Sequence, residues 1–292
     1  MTATLATIDH LDIHAAEEAV GVRPETALRL MQLAADEKSR VEELQSVIDA
    51  DPSMTMRTLK LANSSFYGMP TRVSRTDKAI TMLGVATIAK LASSTSVESA
   101  FRGIKIDAPG VNAKTPWRYS LSVAFATDVI AAECTVSSAV GVRRLSAEAF
   151  VTGLIHDIGT LVQAKLHTQA FNAAVNTSLK TGLPLTTVER RTIGIDHAQI
   201  GLRLAHHWSL PETLASGIGF HHDPLAAEPD HRALACVIHL AAQLVRRAGV
   251  ASFDGDADMP HVEPAMNFLH IDPRRADHLV AAITQRVQSI DV

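Results

Sequence analysis

In the run "GLIHDIGTLV", residues 153 to 162, a histidine and an aspartate stand side by side among apolar neighbours. An imidazole nitrogen and a carboxylate oxygen together make a donor set suited to iron, manganese or zinc. On one helix His156 and Asp157 project about 100° apart. They share no face, yet both could reach an ion lodged where several helices meet. The alternative is structural: Asp157 caps or hydrogen-bonds locally, and His156 is a core histidine. A polar pair in an apolar run must be satisfied if it is buried.

The 14 histidines are unevenly placed, with none between residues 15 and 155 and nine from His156 to His239. That clustering points to a site in the second half of the chain. His197 follows Asp196 in "GIDHAQIG" and is expected mid-helix, as a ligand or facing solvent. His221 and His222 close a helix in "GIGFHHDP", where they could ligate or simply complement the negative end of the helix dipole. His206 lies nine residues past His197, on the opposite side. With His207 it is assigned to the surface or to contacts between domains. His10, His14, His261, His270 and His278 are assigned no role. In "LKLANSSFYG", Asn63 is expected to cap or turn the backbone, and Phe66 and Tyr67 to pack.

Helical periodicity dominates the elements that must position these residues. Val41, Leu44, Val47 and Ile48 form one stripe, and Asp51 and Pro52 read as N-cap and first residue of the next helix. "SSFYGMPTRVS" reads as a loop broken by Gly68 and Pro70. Ser74 and Asp77 resemble a capping box for a single helix over "KAITMLGVATIAKLASS". "FRGIKIDAPGVNAKTP", residues 101 to 116, has no periodicity and marks the expected domain boundary. A helix from Pro116 follows, with Trp117, Leu121, Ala124 and Val129 as its stripe. Another, starting after Ser146, carries the His-Asp pair. Thr186 and Glu189 read as a capping box for the helix of His197. Pro211 opens the next helix, Gly249 closes the one over "HRALACVIHLAAQLVRRAG", and Asp272 with Pro273 starts a C-terminal helix.

Apolar residues make up 47% of the 292 and charged residues 20%, which fits a globular protein with a sizeable core. Only 4% are aromatic, and alanine is abundant, which favours closely packed helices. The net charge of −4 gives no general attraction to nucleic acid or anionic membrane. The basic stretches "GVRRLSAE" and "VRRAGV" read as solvated helix ends. Cys134 and Cys236 lie in apolar helical patterns and are expected as buried thiols in a reducing cytoplasm. The N-terminus lacks the basic-then-apolar pattern of a signal peptide, and no apolar run is long enough to span a membrane.

Taken together, "DADPSMTMRTLKLANSSFYGMPTRVSRTDKAITMLG", "PWRYSLSVA", "TGLIHDIGTLV", "DHAQIGLRLAHHWSLP" and "GFHH" resemble, in order, the HDOD family. These are relatives of the HD and HD-GYP metal-dependent phosphohydrolases, and the resemblance covers about residues 20 to 245. It implies an all-α fold, with a helical N-terminal lobe (1–105) packed on a degenerate HD-like bundle (106–292). It also implies a remnant divalent-metal site, for iron, manganese or zinc, of His156, Asp157, His197, His221 and His222. The family's first metal-binding histidine matches Tyr119, its last aspartate matches Ala242, and the GYP motif is absent. Tyrosine is a poor ligand for a divalent hydrolytic centre at neutral pH because its pKa is near 10, and alanine cannot ligate. The implied role is a non-catalytic signalling module whose partners are proteins of cyclic di-nucleotide or two-component pathways. The alternative is a metal-dependent phosphodiesterase acting on a nucleotide or cyclic dinucleotide. Nucleic-acid binding is the least favoured reading.

Overall fold

A computed structural model of the chain describes residues 11–21, 24–36, 40–63, 73–112, 114–134, 148–253 and 262–288. Among these there is no β-strand, only an isolated bridge between Ala108 and Val111. No single described helix is long and apolar enough to cross a membrane. The fold is all-α, as expected. The loop around Gly68 and Pro70, with Phe66 and Tyr67, lies outside the described residues, as do His10 and His261.

Residues Val22–Ser99 form one compact unit, and the chain on either side of them forms a second, larger one. The smaller unit holds α2 (Glu25–Ala35), α3 (Val41–Asp49), α4 (Pro52–Ala62), α5 (Thr76–Leu83) and α6 (Val85–Glu98). Ala27, Leu30, Leu44, Ile48, Ile80 and Ile88 are buried in its core. Asp51 caps α4 by accepting from the Met54 amide at 3.3 Å, as its sequence position implies. Asn63 then turns the backbone: its side chain bonds the Leu59 carbonyl and both the carbonyl and amide of Val73, each at 2.7 Å.

The single helix expected over residues 78 to 94 is instead two. Gly84, at φ +83°, breaks it between α5 and α6, a backbone conformation that only glycine adopts without strain. The expected capping box at Ser74 does not form. Arg75 holds the N-cap position without a side-chain cap, and Asp77 pairs with the Arg75 guanidinium at 2.9 Å.

The larger unit contains α1 (Ile13–Val20), α7 (Thr115–Glu133), α8 (148–155), α9 (Ile158–Leu166), α10 (Thr168–Thr181), α11 (Leu185–Thr192), α12 (His197–His207), α13 (Glu212–Gly219), α14 (Arg232–Arg247), α15 (Val262–Phe268) and α16 (Ala276–Gln288). Every residue of α14 from Leu234 to Val245 is buried. It therefore runs through the centre, packed on α7, α13, α15 and α16. Gly249, at φ +84°, follows its end. Cys134 and Cys236 are buried, and burial pushes their thiols up to about 11 and about 12.

A division at residues 105 and 106 would assign α1 to the first lobe. In the structure α1 belongs to the larger unit: it packs on α9 and α12, with Ala16 and Val20 buried. The Lys165 ammonium, in the last turn of α9, donates to the Ala19 and Ala100 carbonyls, both at 2.8 Å. These two residues flank the segment 22–99, so one side chain holds the points where the chain leaves and re-enters this unit.

Two glycines set how closely the helices cross. A methyl group at Gly153 would lie 2.8 Å from the Ala124 Cα, so α8 presses on the backbone of α7. At Gly159 it would lie 2.0 Å from the His197 carbonyl oxygen, so α9 and α12 touch backbone to backbone. Gly159→Ala should therefore destabilise the chain by about 3 kcal/mol or prevent soluble folding, a severe case of overpacking. Lys165→Met, which leaves two carbonyls without their donor, should cost about 1–3 kcal/mol. Urea unfolding of both variants checks these values.

Candidate functional site

His156 and Asp157 fall at a break in the helical run, not within one helix. The chain turns at these two residues between α8 and α9, and Asp157 is the N-cap residue of α9. The break brings both side chains to the same crevice, where continuous helix would have splayed them apart. His156 Nδ1 donates to the Gly153 carbonyl at 2.9 Å, and its Nε2 is 3.3 Å from Asp157 Oδ2. The close crossing at Gly159 then delivers His197.

His197 is not mid-helix either; it is the first residue of α12, with Asp196 as N-cap accepting from the Gln199 amide at 2.8 Å. The expected capping box is absent, because Thr186 and Glu189 lie inside the separate helix α11. Glu189 instead reaches the site. Its Oε2 accepts from the His197 amide at 3.0 Å and from His197 Nδ1 at 2.7 Å. It is fully buried, and the capping pattern concealed its role. Arg190 covers the other side of the junction by pairing with Asp196.

His221 and His222 lie in the turn just after α13. His221 Nδ1 donates to the Ile218 carbonyl at 2.7 Å, and its Nε2 stands 3.5 Å from Asp157 Oδ1. His197 Nε2 is also 3.5 Å from Asp157 Oδ1 and 2.8 Å from His222 Nε2. His239 supports the turn from α14 by donating from Nδ1 to the His221 carbonyl at 2.7 Å. The crevice is small and is also lined by Tyr119, Thr160, Leu185 and Phe253. All five residues singled out from the sequence thus converge.

The electrostatics follow from burial and from these partners. Burial works against the Asp157 carboxylate, but His156, by charge and hydrogen bond, holds it well below its ordinary range, with the charge of His197 adding to the effect. For His197 burial again opposes charge. The adjacent Glu189 carboxylate overcomes it, with Asp157 adding to the effect, and the imidazole is pushed up to about 10. His222 is held well below its ordinary value by burial and by the charges of His221 and His197. Burial also lowers His221. A protonated His197 therefore donates its Nε2 proton to a neutral His222.

That arrangement fits a divalent metal. Asp157, His197, His221 and His222 each place a donor atom within 4.8 Å of the others. In the neutral His221 the Nδ1 proton is committed to a carbonyl, so Nε2 presents a lone pair. It is buried, without a hydrogen-bond partner among the described residues, and faces a carboxylate oxygen. Two acceptors opposed in this way call for positive charge between them. The imidazole and carboxylate set is the one expected for zinc, manganese or iron.

The two positions where the sequence departs from the metal-binding pattern meet in the structure. Tyr119 on α7 is buried and donates from its hydroxyl to the Ala242 carbonyl on α14 at 3.3 Å. Its ring stands 5.7 Å from that of His156, centroid to centroid. A phenol bonded to backbone thus takes up this side of the crevice.

The sequence matches the family described as the HDOD domain over residues 21–224. A curated relative, an uncharacterised protein of Treponema pallidum (strain Nichols), is 22% identical over 223 residues. The match takes in 76% of this chain but 41% of that protein, so the chain spans less than half of the relative's length. Among solved structures, an HDOD domain protein of unknown function from Geobacter sulfurreducens aligns with a TM-score of 0.75 and 22% identity, over 96% of this chain and 98% of that one. A candidate signal transduction protein from Marinobacter aquaeolei VT8 aligns at 0.75 and 25% identity, over 94% of this chain and 59% of that one. A candidate phosphohydrolase from Shewanella amazonensis SB2B gives 0.63 and 23% identity, over 94% and 95%.

The raised value of His197 makes a pH prediction for metal-free protein. Its contribution to stability is fully present below the unfolded value near 6.5 and is lost as pH rises toward about 10. Glu189→Gln removes the nearest negative charge. The imidazole should then lose its proton at lower pH, and stability should begin to fall earlier. Nitrogen-15 titration of labelled histidines in the presence of a chelator, with urea unfolding at neutral and alkaline pH, reads both effects. An unchanged His197 titration in the variant would contradict the assignment.

Proposed function

The chain belongs to the HDOD family, and from that premise we propose that it is a non-catalytic regulatory module of a bacterial signalling pathway. It acts by binding a protein partner, and the histidine crevice tunes that binding through a ligand or ion. The observation that carries this reading is the Tyr119–Ala242 contact. A hydrolytic metal centre needs a fixed set of ligands to lower the pKa of water and aim it at phosphorus. Here two anchors of that set are replaced by a neutral phenol and a methyl group, and the phenol is already engaged with backbone. Asp157, His197, His221 and His222 would hold a divalent ion of the iron, manganese or zinc class, with His156 buttressing Asp157. An ion so held has a structural or sensing role. The likeness to the Marinobacter protein, described as a candidate for signal transduction, points the same way.

Partners of the cyclic di-nucleotide or two-component type are the natural class for such a module in a reducing cytoplasm. The net charge of −4 argues against nucleic acid. The donor cluster itself supports a second reading, a metal-dependent phosphodiesterase. In that case Asp157 and the histidines would hold the metal that supplies Lewis-acid chemistry, and arginine or lysine would balance phosphate charge.

Purified protein loaded with Mn²⁺ or Fe²⁺ and assayed on cyclic di-GMP and model phosphodiesters separates the two. The regulatory reading expects no turnover above that of Asp157→Ala. Turnover that depends on Asp157 would overturn it. The double variant Tyr119→His with Ala242→Asp should bind Mn²⁺ at least ~10-fold more tightly than the native chain, the scale on which metal-site contacts act. Equal affinity would show that these two positions do not limit the site.

A further inference from the structure

A second group of donors gathers at the far end of α12. His14 and Glu17 stand three residues apart on α1, spacing that puts both side chains on one face. His207 is the last residue of α12. One donor atom from each lies within 4.8 Å of the other two. His207 Nε2 is 3.2 Å from Glu17 Oε2. The His14 and His207 rings meet edge to face, 5.3 Å between centroids and 87° between planes. The remaining carboxylate oxygen, Glu17 Oε1, accepts from the Trp208 indole nitrogen at 3.2 Å. That bond orients the carboxylate and leaves Oε2 turned toward the histidines, as the outer contacts of metal ligands do.

The group is open to an entering ion. His14 is exposed, while the His207 and Glu17 side chains retain 25% and 19% of their exposure. Two imidazoles and one carboxylate form a borderline-soft set, which favours Zn²⁺ over Mg²⁺ or Ca²⁺ and leaves a fourth position to solvent. The group is separate from the crevice. His197 and His207 occupy opposite ends of α12, ten residues and so about 15 Å apart.

We propose that His14, Glu17 and His207 form a binding site for a divalent cation of the zinc class, which pins α1 to α12. The consequence is local and mechanical. An eight-residue helix has little stability of its own, so α1 depends on what it packs against. An ion shared between α1 and α12 couples metal availability to the retention of α1 on the larger unit. This proposal is independent of the regulatory reading and of whether the crevice binds metal.

The test uses the full chain stripped by a chelator and titrated with zinc chloride alone. It compares the native chain, His14→Ala, His207→Ala, and an Asp157→Ala, His222→Ala variant that disables the crevice. Calorimetry counts zinc bound. Quenching of tryptophan fluorescence by Cu²⁺ provides a local signal, because Trp208 adjoins the site. The expected result is that the crevice variant still binds zinc and loses that binding when His207→Ala is added. Each single histidine variant should lose at least ~10-fold in affinity at this site. It should also lose the rise in melting temperature that zinc gives the native chain, while melting normally in chelator. Zinc stoichiometry, Cu²⁺ quenching and thermal shift that are the same in the native chain and in His14→Ala would overturn the proposal. His14 is exposed, so this comparison holds even where the crevice variant fails to fold.

Discussion

The site depends on one backbone contact, the approach of α9 to the start of α12 at Gly159 and His197. With no side chain on Gly159, the two helices close until a methyl group there would sit 2.0 Å from the His197 carbonyl oxygen. Asp157 holds the N-cap position of α9 two residues before Gly159, and His197 begins α12, so the contact sets carboxylate and imidazole face to face. The neighbouring close approach at Gly153 holds α8 against α7 and so fixes His156 relative to Tyr119. Packing interiors are dense enough that such contacts admit little drift.

Around that contact the charges are arranged in alternation. The Asp157 carboxylate is flanked by imidazoles, His197 lies between two carboxylates, and Arg190 covers Asp196. Buried charge is tolerated only with partners of opposite sign or a bound ion. His197, lying between Glu189 and Asp157, takes the part of a cation in the metal-free chain. A metal entering the crevice would compete with that proton, so metal affinity and proton release are linked. The Tyr119–Ala242 contact closes the opposite side with a neutral hydrogen bond, which requires no such compensation.

The helix α12 connects this crevice to the surface. Its first residue belongs to the buried cluster and its last to the exposed group with α1, while its middle residues Ile200, Gly201 and Leu204 pack in the core.

Helical periodicity, the Asp51–Pro52 cap and the position of Gly249 were legible in the sequence because each rests on interactions within a few residues. The HDOD resemblance and the five residues His156, Asp157, His197, His221 and His222 were legible as residue types in a recognisable order. Their geometry was not. The apolar flanks of His156 and Asp157 read as continuous helix, and nothing local signalled the break between α8 and α9 or the one before His197. Glu189 matched a capping box at the level of pattern, yet its carboxylate is used eight residues along the chain. His14 and Glu17 carried no signal at all, because their partner His207 is nearly two hundred residues away. The helical class, the family and the side chains available for chemistry follow from local propensity, composition and residue order. Which of them meet depends on the backbone approach at Gly159 and on the packing of distant helices, long-range constraints that no local pattern encodes.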